Sequence, residues 1–194
     1  MNLPNKLTIS RIFLTFIFMF LLFSNGAAMK ISALIVFLLA SATDYFDGKI
    51  ARERNEITDF GRFMDPIADK FLTIAAFLAF VEMGLVPAWM VILIIARELI
   101  ITGVRLFAAT RGKVLCAEVA GKHKTVSQVV AIFAILVFIS LRSVGMDTFE
   151  VWSNSWEYWF RQLIFMLMIV TVSLTLISGL SYLWRNKGLF LNAG

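Results

Sequence analysis

Six apolar runs, at about 10–24, 31–52, 66–84, 86–108, 125–142 and 160–184, follow one another along this chain without a long polar linker. Several reach the ~20 residues that cross a bilayer as a helix. The chain is 60% hydrophobic with a mean hydropathy of +0.84, against about 45–50% apolar residues in a soluble domain. These features predict an all-α integral membrane protein, one domain over 1–194 with six transmembrane helices. Before the first run, Leu3 to Ser10 reads as a short interfacial helix. There is no low-complexity tract and no internal repeat. Lys6 and Arg11 ahead of the first run, with small residues Ser24 to Ala28 after it, also fit a signal peptide with its cleavage site. The apolar pattern alone leaves both readings open.

With six helices, both termini and the loops after helices two and four share one side. All of the 18 lysines and arginines lie at or near that side except Lys30, Arg142 and Arg161. The positive-inside rule makes it the cytoplasmic side of the cell membrane. A net charge of +5 suits anionic lipid head groups or phosphorylated substrates rather than nucleic acid. On the opposite side, Val144 to Tyr158 carries Trp152 and Trp156, read as an aromatic interfacial belt.

Against this background four carboxylates stand out. Asp44 and Asp47 are three apart, so on a helix they share a face, and Asp65 with Asp69, four apart, do the same on the next one. A short connection at 53–64 predicts antiparallel neighbours whose two pairs converge. Ionised carboxylates at membrane depth are costly and need a cation or basic partner. Oxygen-only ligands favour Mg²⁺ or Mn²⁺, and two pairs suit two ions roughly 3.5–4 Å apart. Gly48 and Gly61 thin the facing helices, Ala51 keeps the same face open, and Arg52 is placed to pair with a phosphate. Asp65 before Pro66 could instead cap a helix starting there; a start near Thr58 would put Pro66 inside the helix. A salt-bridge network with Arg52 is the other plain reading, but four carboxylates against one nearby arginine leave too much negative charge. Lone Cys116 and His123 read as structural.

The pattern Asp44-x-x-Asp47-Gly48-x-x-Ala51-Arg52, then Gly61-x-x-x-Asp65-x-x-x-Asp69, resembles the signature of the CDP-alcohol phosphotransferases. Pro4-Asn5-x-x-Thr8-x-x-Arg11, Ala96-Arg97-Glu98 to Thr102-x-x-Arg105, and Gly121-Lys122-x-Lys124-Thr125 are similar to one branch, the phosphatidylglycerolphosphate synthases. The resemblance implies a first helix that is retained, and a homodimer. It implies transfer of a phosphatidyl group from CDP-diacylglycerol to sn-glycerol 3-phosphate, with CMP released. It also implies that Asp44, Asp47, Asp65 and Asp69 hold two divalent ions, that Asp69 is the general base, and that Gly48, Arg52, Thr58 and Gly61 contact the CDP part. Asn5 and Thr8 would close over the cytidine.

Arg97 lies in an apolar run, where a buried cation is expensive and usually functional. Arg105, eight residues on, projects from a similar face, and Lys122 and Lys124 enter the next helix. This basic set suits the phosphate of the acceptor. The plainer reading is that Arg97 pairs with Glu98 or Asp69 while Arg105 snorkels. A sister enzyme using inositol phosphate, serine or phosphatidylglycerol, and a divalent-cation transporter, are the competing functions.

Overall fold

A computed structural model of the chain describes the backbone of residues 3–54, 59–110, 119–147 and 152–187, with side chains over 9–42, 70–110, 124–146 and 152–187. Among the described residues there are six helices and no strand: α1 (Leu3–Phe23), α2 (Ala27–Arg54), α3 (Asp59–Glu82), α4 (Ala88–Thr110), α5 (Val119–Asp147) and α6 (Asn154–Arg185). Residues Lys124–Met146 of α5 and the whole of α6 are long and apolar enough to cross a membrane.

The segment expected to form a separate interfacial helix is the start of α1. Pro4 sits in the first turn, where its missing N–H costs nothing, and no glycine or proline follows until Gly26. The helix therefore runs unbroken. It ends at Phe23, and the chain turns through Gly26, whose φ of 99° is left-handed. There the Ser24 amide donates to the Phe20 carbonyl at 3.0 Å, and Lys30 Nζ donates to the Leu22 carbonyl.

Helix α3 begins at Asp59 rather than at Pro66, so Asp65 is an interior residue and not a cap. Pro66 then has no N–H to offer the carbonyl of Arg62, four residues back. The end of α3 is closed by a pair of bonds, Gly84 N–H to Val81 O and Leu85 N–H to Phe80 O, each 2.9 Å. Gly84 holds φ at 65°, the left-handed glycine that such a helix end requires. Nothing lies within 4 Å of a Cβ built on it, so the cost of a side chain there is backbone strain alone. Gly84→Ala is expected to lower stability by about 1–2 kcal/mol, and Gly84→Asn by less, read as thermal unfolding in detergent.

The chain divides into two compact units. Unit 1 holds residues 1–79 and 132–160. In it α1 packs along α2, with Phe18 and Phe37 rings 5.9 Å apart, while Phe16 meets Phe71 of α3 at 5.9 Å. Trp152, expected in an interfacial belt, stacks on Phe160 and donates Nε1–H to Glu157 at 3.1 Å. Glu157 also pairs with Arg142 at 2.9 Å. Gly145 makes room for this indole, since a Cβ there would sit 3.0 Å from Trp152. Trp156 and Trp159 remain exposed, as belt residues are.

Unit 2 holds residues 80–131 and 161–194. Its part of α6 departs from a helix of a soluble protein in its apolar outer face. Leu163, Met166, Val170, Leu174, Ile177, Leu180 and Trp184 face outward, Ile177 being 64% and Trp184 74% exposed. Thr171, Thr175, Ser178 and Tyr182 are buried. Spacings of four, three and four keep these polar residues on one stripe. An apolar exterior with a polar stripe kept inside, beside buried Ile164, Met168 and Val172, is an arrangement that a lipid solvent selects.

Candidate functional site

The signature residues all belong to unit 1. Asp44, Asp47, Gly48 and Arg52 lie on α2; Gly61, Asp65 and Asp69 lie on α3; Asn5 and Thr8 lie on the first turns of α1. Both aspartate pairs are thus helical, at spacings that put each pair on a common face. Thr58 and Cys116 lie outside the described residues, and the side chains of the other signature residues, with those of Asn5, Thr8, Lys122 and His123, lie outside the described side chains. Among the described side chains no group of three or more His, Cys, Asp or Glu gathers to hold a metal. The donor chemistry of the four aspartates, all oxygen and all anionic when ionised, fits a hard divalent ion.

Unit 2 carries the described part of the basic set. Helix α4 buries one stripe, Met90, Val91, Ile94, Glu98, Ile101, Val104 and Ala108, and Glu98 is its one carboxylate. Glu98 and Lys124 are each 6% exposed and form an ion pair. The same carboxylate oxygen lies 3.3 Å from Arg97 Nη1, while Arg97 Nη2 donates to Ser178 Oγ at 2.9 Å. Two cations therefore share one carboxylate. Arg97 does pair with Glu98, as the plainer reading expects, but Glu98 is also committed to Lys124.

Arg105 engages a different partner. Its Nε lies 3.4 Å from Tyr182 Oη, and its guanidinium sits 5.5 Å from the Tyr182 ring centroid, within cation–π range. Tyr182 is itself packed with Ile101, Val104 and Leu183. The side chain of Arg105 thus follows an aromatic wall on α6 and does not join the Glu98 group. Three residues that shape this cluster, Ser178, Gly179 and Tyr182, carry no charge and were missed by reading charged motifs. The signal available was the polar stripe of α6 inside an otherwise apolar run.

A model of the CDP-alcohol phosphatidyltransferase family matches residues 1–183. The chain belongs to this family. Among CDP-alcohol phosphatidyltransferases, it is 43% identical over 148 residues to the CDP-diacylglycerol--glycerol-3-phosphate 3-phosphatidyltransferase of Bacillus subtilis, covering 70% of this chain and 77% of that one. It is 35% identical over 190 residues to the protein of the same name from Rickettsia typhi, 97% of this chain and 99% of that one. It is also 42% identical over 134 residues to a probable phosphatidylglycerophosphate synthase of Mycobacterium tuberculosis, 68% of this chain and 64% of that one. The family match runs through both compact units.

Proposed function

We propose that this chain transfers the phosphatidyl group of CDP-diacylglycerol to sn-glycerol 3-phosphate, giving phosphatidylglycerol phosphate and CMP. The observation that carries this reading is the likeness, over almost its whole length, to the R. typhi protein named for that transfer. The basic residues Arg97 and Arg105 of α4 and Lys122 and Lys124 of α5 support a phosphorylated acceptor over serine or phosphatidylglycerol.

In this reading Asp44, Asp47, Asp65 and Asp69 hold two divalent ions, Mg²⁺ or Mn²⁺. Bound there, the ions supply charge neutralisation at the pyrophosphate and at departing CMP. Asp69 takes the proton of the acceptor hydroxyl. The freed oxygen bonds the lipid-bearing phosphorus, the bond from that phosphorus to the bridging oxygen breaks, and CMP leaves with its electron pair. Arg52, Gly48, Gly61 and Thr58 receive the CDP group, and Asn5 and Thr8 cover the cytidine. Arg11, buried on α1, supplies positive charge to the same unit. Arg97, Arg105, Lys122 and Lys124 hold the acceptor phosphate. All six helices span the cytoplasmic membrane of a homodimer, with both termini and the site on the cytoplasmic side, as the placement of basic residues supports.

Purified protein given CDP-diacylglycerol and a panel of sn-glycerol 3-phosphate, inositol phosphate, serine and phosphatidylglycerol tests the assignment. The expected result is CMP release and a lipid product with glycerol 3-phosphate alone. Product with another acceptor would transfer the chain to a sister activity. Within the acceptor set, Arg97→Gln, Arg105→Gln or Lys122→Gln should each raise the acceptor KM tenfold or more, since charge-assisted phosphate contacts contribute roughly 1.5–3 kcal/mol. Arg105→Lys should recover only part of the loss, because a point charge does not reproduce a planar fork. Acceptor titrations at saturating donor measure it.

A further inference from the structure

Helix α6 brings no charge to the interior of unit 2, yet it decides where Arg97 points. The stem of Arg97 lies directly over Gly179: a Cβ at that glycine would meet Arg97 Cγ at 2.8 Å and Nε at 3.3 Å. Cγ is near the root of the side chain, so swinging the far end cannot relieve the clash, and the whole arginine would have to move. One residue earlier, Ser178 Oγ accepts from Arg97 Nη2 at 2.9 Å. Glu98 engages Nη1 from the arginine's own helix. Both ends of the fork are thereby held. Nε, also buried, meets no acceptor among the described residues.

The stem and both terminal nitrogens of Arg97 are thus fixed by α4 and α6 before any ligand binds. Arginine gains in anion recognition from the fixed plane of its donors, and that advantage is realised only when the plane is aimed before the ligand arrives. We propose that Ser178 and Gly179 are positioning residues that aim the Arg97 guanidinium at the acceptor's phosphate. Ser178 fixes the tip, and the absent side chain of Gly179 provides the channel in which the stem lies. This rests on the phosphorylated-acceptor reading above and adds to it a determinant of acceptor affinity on α6. Neither residue touches the substrate in this assignment.

The test is a titration of sn-glycerol 3-phosphate against full-length, purified Gly179→Ala, Ser178→Ala, Ser178→Thr and Arg97→Gln. The KM for CDP-diacylglycerol and the melting temperature in detergent are measured in parallel. Gly179→Ala and Ser178→Ala should each raise the acceptor KM about tenfold, as expected for a misdirected charge-assisted bond. The donor KM, and kcat at saturating acceptor, should stay near wild type. Ser178→Thr, which keeps the hydroxyl, should recover most of the affinity. If Arg97→Gln raises the acceptor KM and the two α6 variants do not, the positioning role is overturned while the acceptor reading stands. An acceptor KM unchanged in Arg97→Gln overturns the acceptor reading and this inference with it. Acceptor and donor KM shifting together, along with a lower melting temperature, would reduce Ser178 and Gly179 to packing residues and overturn the proposal. Should Gly179→Ala not fold, Ser178→Ala against Ser178→Thr decides alone.

Discussion

Asp44→Asn or Asp65→Asn is expected to leave a folded, membrane-inserted protein with no measurable CMP release. Asparagine keeps the shape of aspartate but removes the charge and one strong oxygen donor, so folding should survive while divalent-ion affinity collapses. With the ion lost, the pyrophosphate's negative charge goes uncompensated at the moment of transfer. Electrostatic stabilisation of this kind is commonly the largest part of a rate enhancement. Excess chelator should silence the wild-type protein in the same way, and added Mg²⁺ or Mn²⁺ should restore it. The two routes test the same claim independently, one through a side chain and one through the ion. Turnover undiminished in excess chelator would end the metal reading, whatever the variants do.

Asp69→Asn should be nearly as damaging but should fail at a different step. As the proposed base, Asp69 accepts the proton of the attacking hydroxyl, and removal of a general base typically costs about 10²–10⁴-fold. Because it is also assigned to a metal, the loss should fall at or beyond the upper end of that range. The three remaining aspartates should still support partial, metal-dependent binding of CDP-diacylglycerol. Donor binding by Asp69→Asn, measured with and without Mg²⁺, separates a chemical defect from loss of the site. Near-normal turnover at neutral pH would assign the base to another residue.

The helices were legible in the sequence because a long apolar run has few alternatives. Their ends were not, and particular residues explain why. Pro66 looked like a beginning because proline is favoured in a first helical turn, yet α3 begins at Asp59 and carries the proline inside. Near Leu3 the change from polar to apolar composition suggested a boundary, but composition does not break a helix when no glycine or proline intervenes. That each aspartate pair shares a helix could be read from its spacing of three or four. The surroundings of Arg97 could not. A serine and a glycine far along the chain, on α6, hold it, and nothing local to Arg97 encodes that pairing. Nor could the ring partners of Trp152 be read locally: Phe138 and Phe160 lie on α5 and α6.

The outward and inward stripes of α6 amount to two messages interleaved in one segment. The outward letters, from Leu163 to Trp184, answer to the solvent around the single chain; the inward letters, Thr171, Thr175, Ser178 and Tyr182, answer to the chemistry it encloses. Because they alternate around the helix, one message can be rewritten without touching the other. Recasting the outward positions as charged residues would change the medium the helix prefers, from bilayer to water, while every atom that holds Arg97 and Arg105 stayed in place.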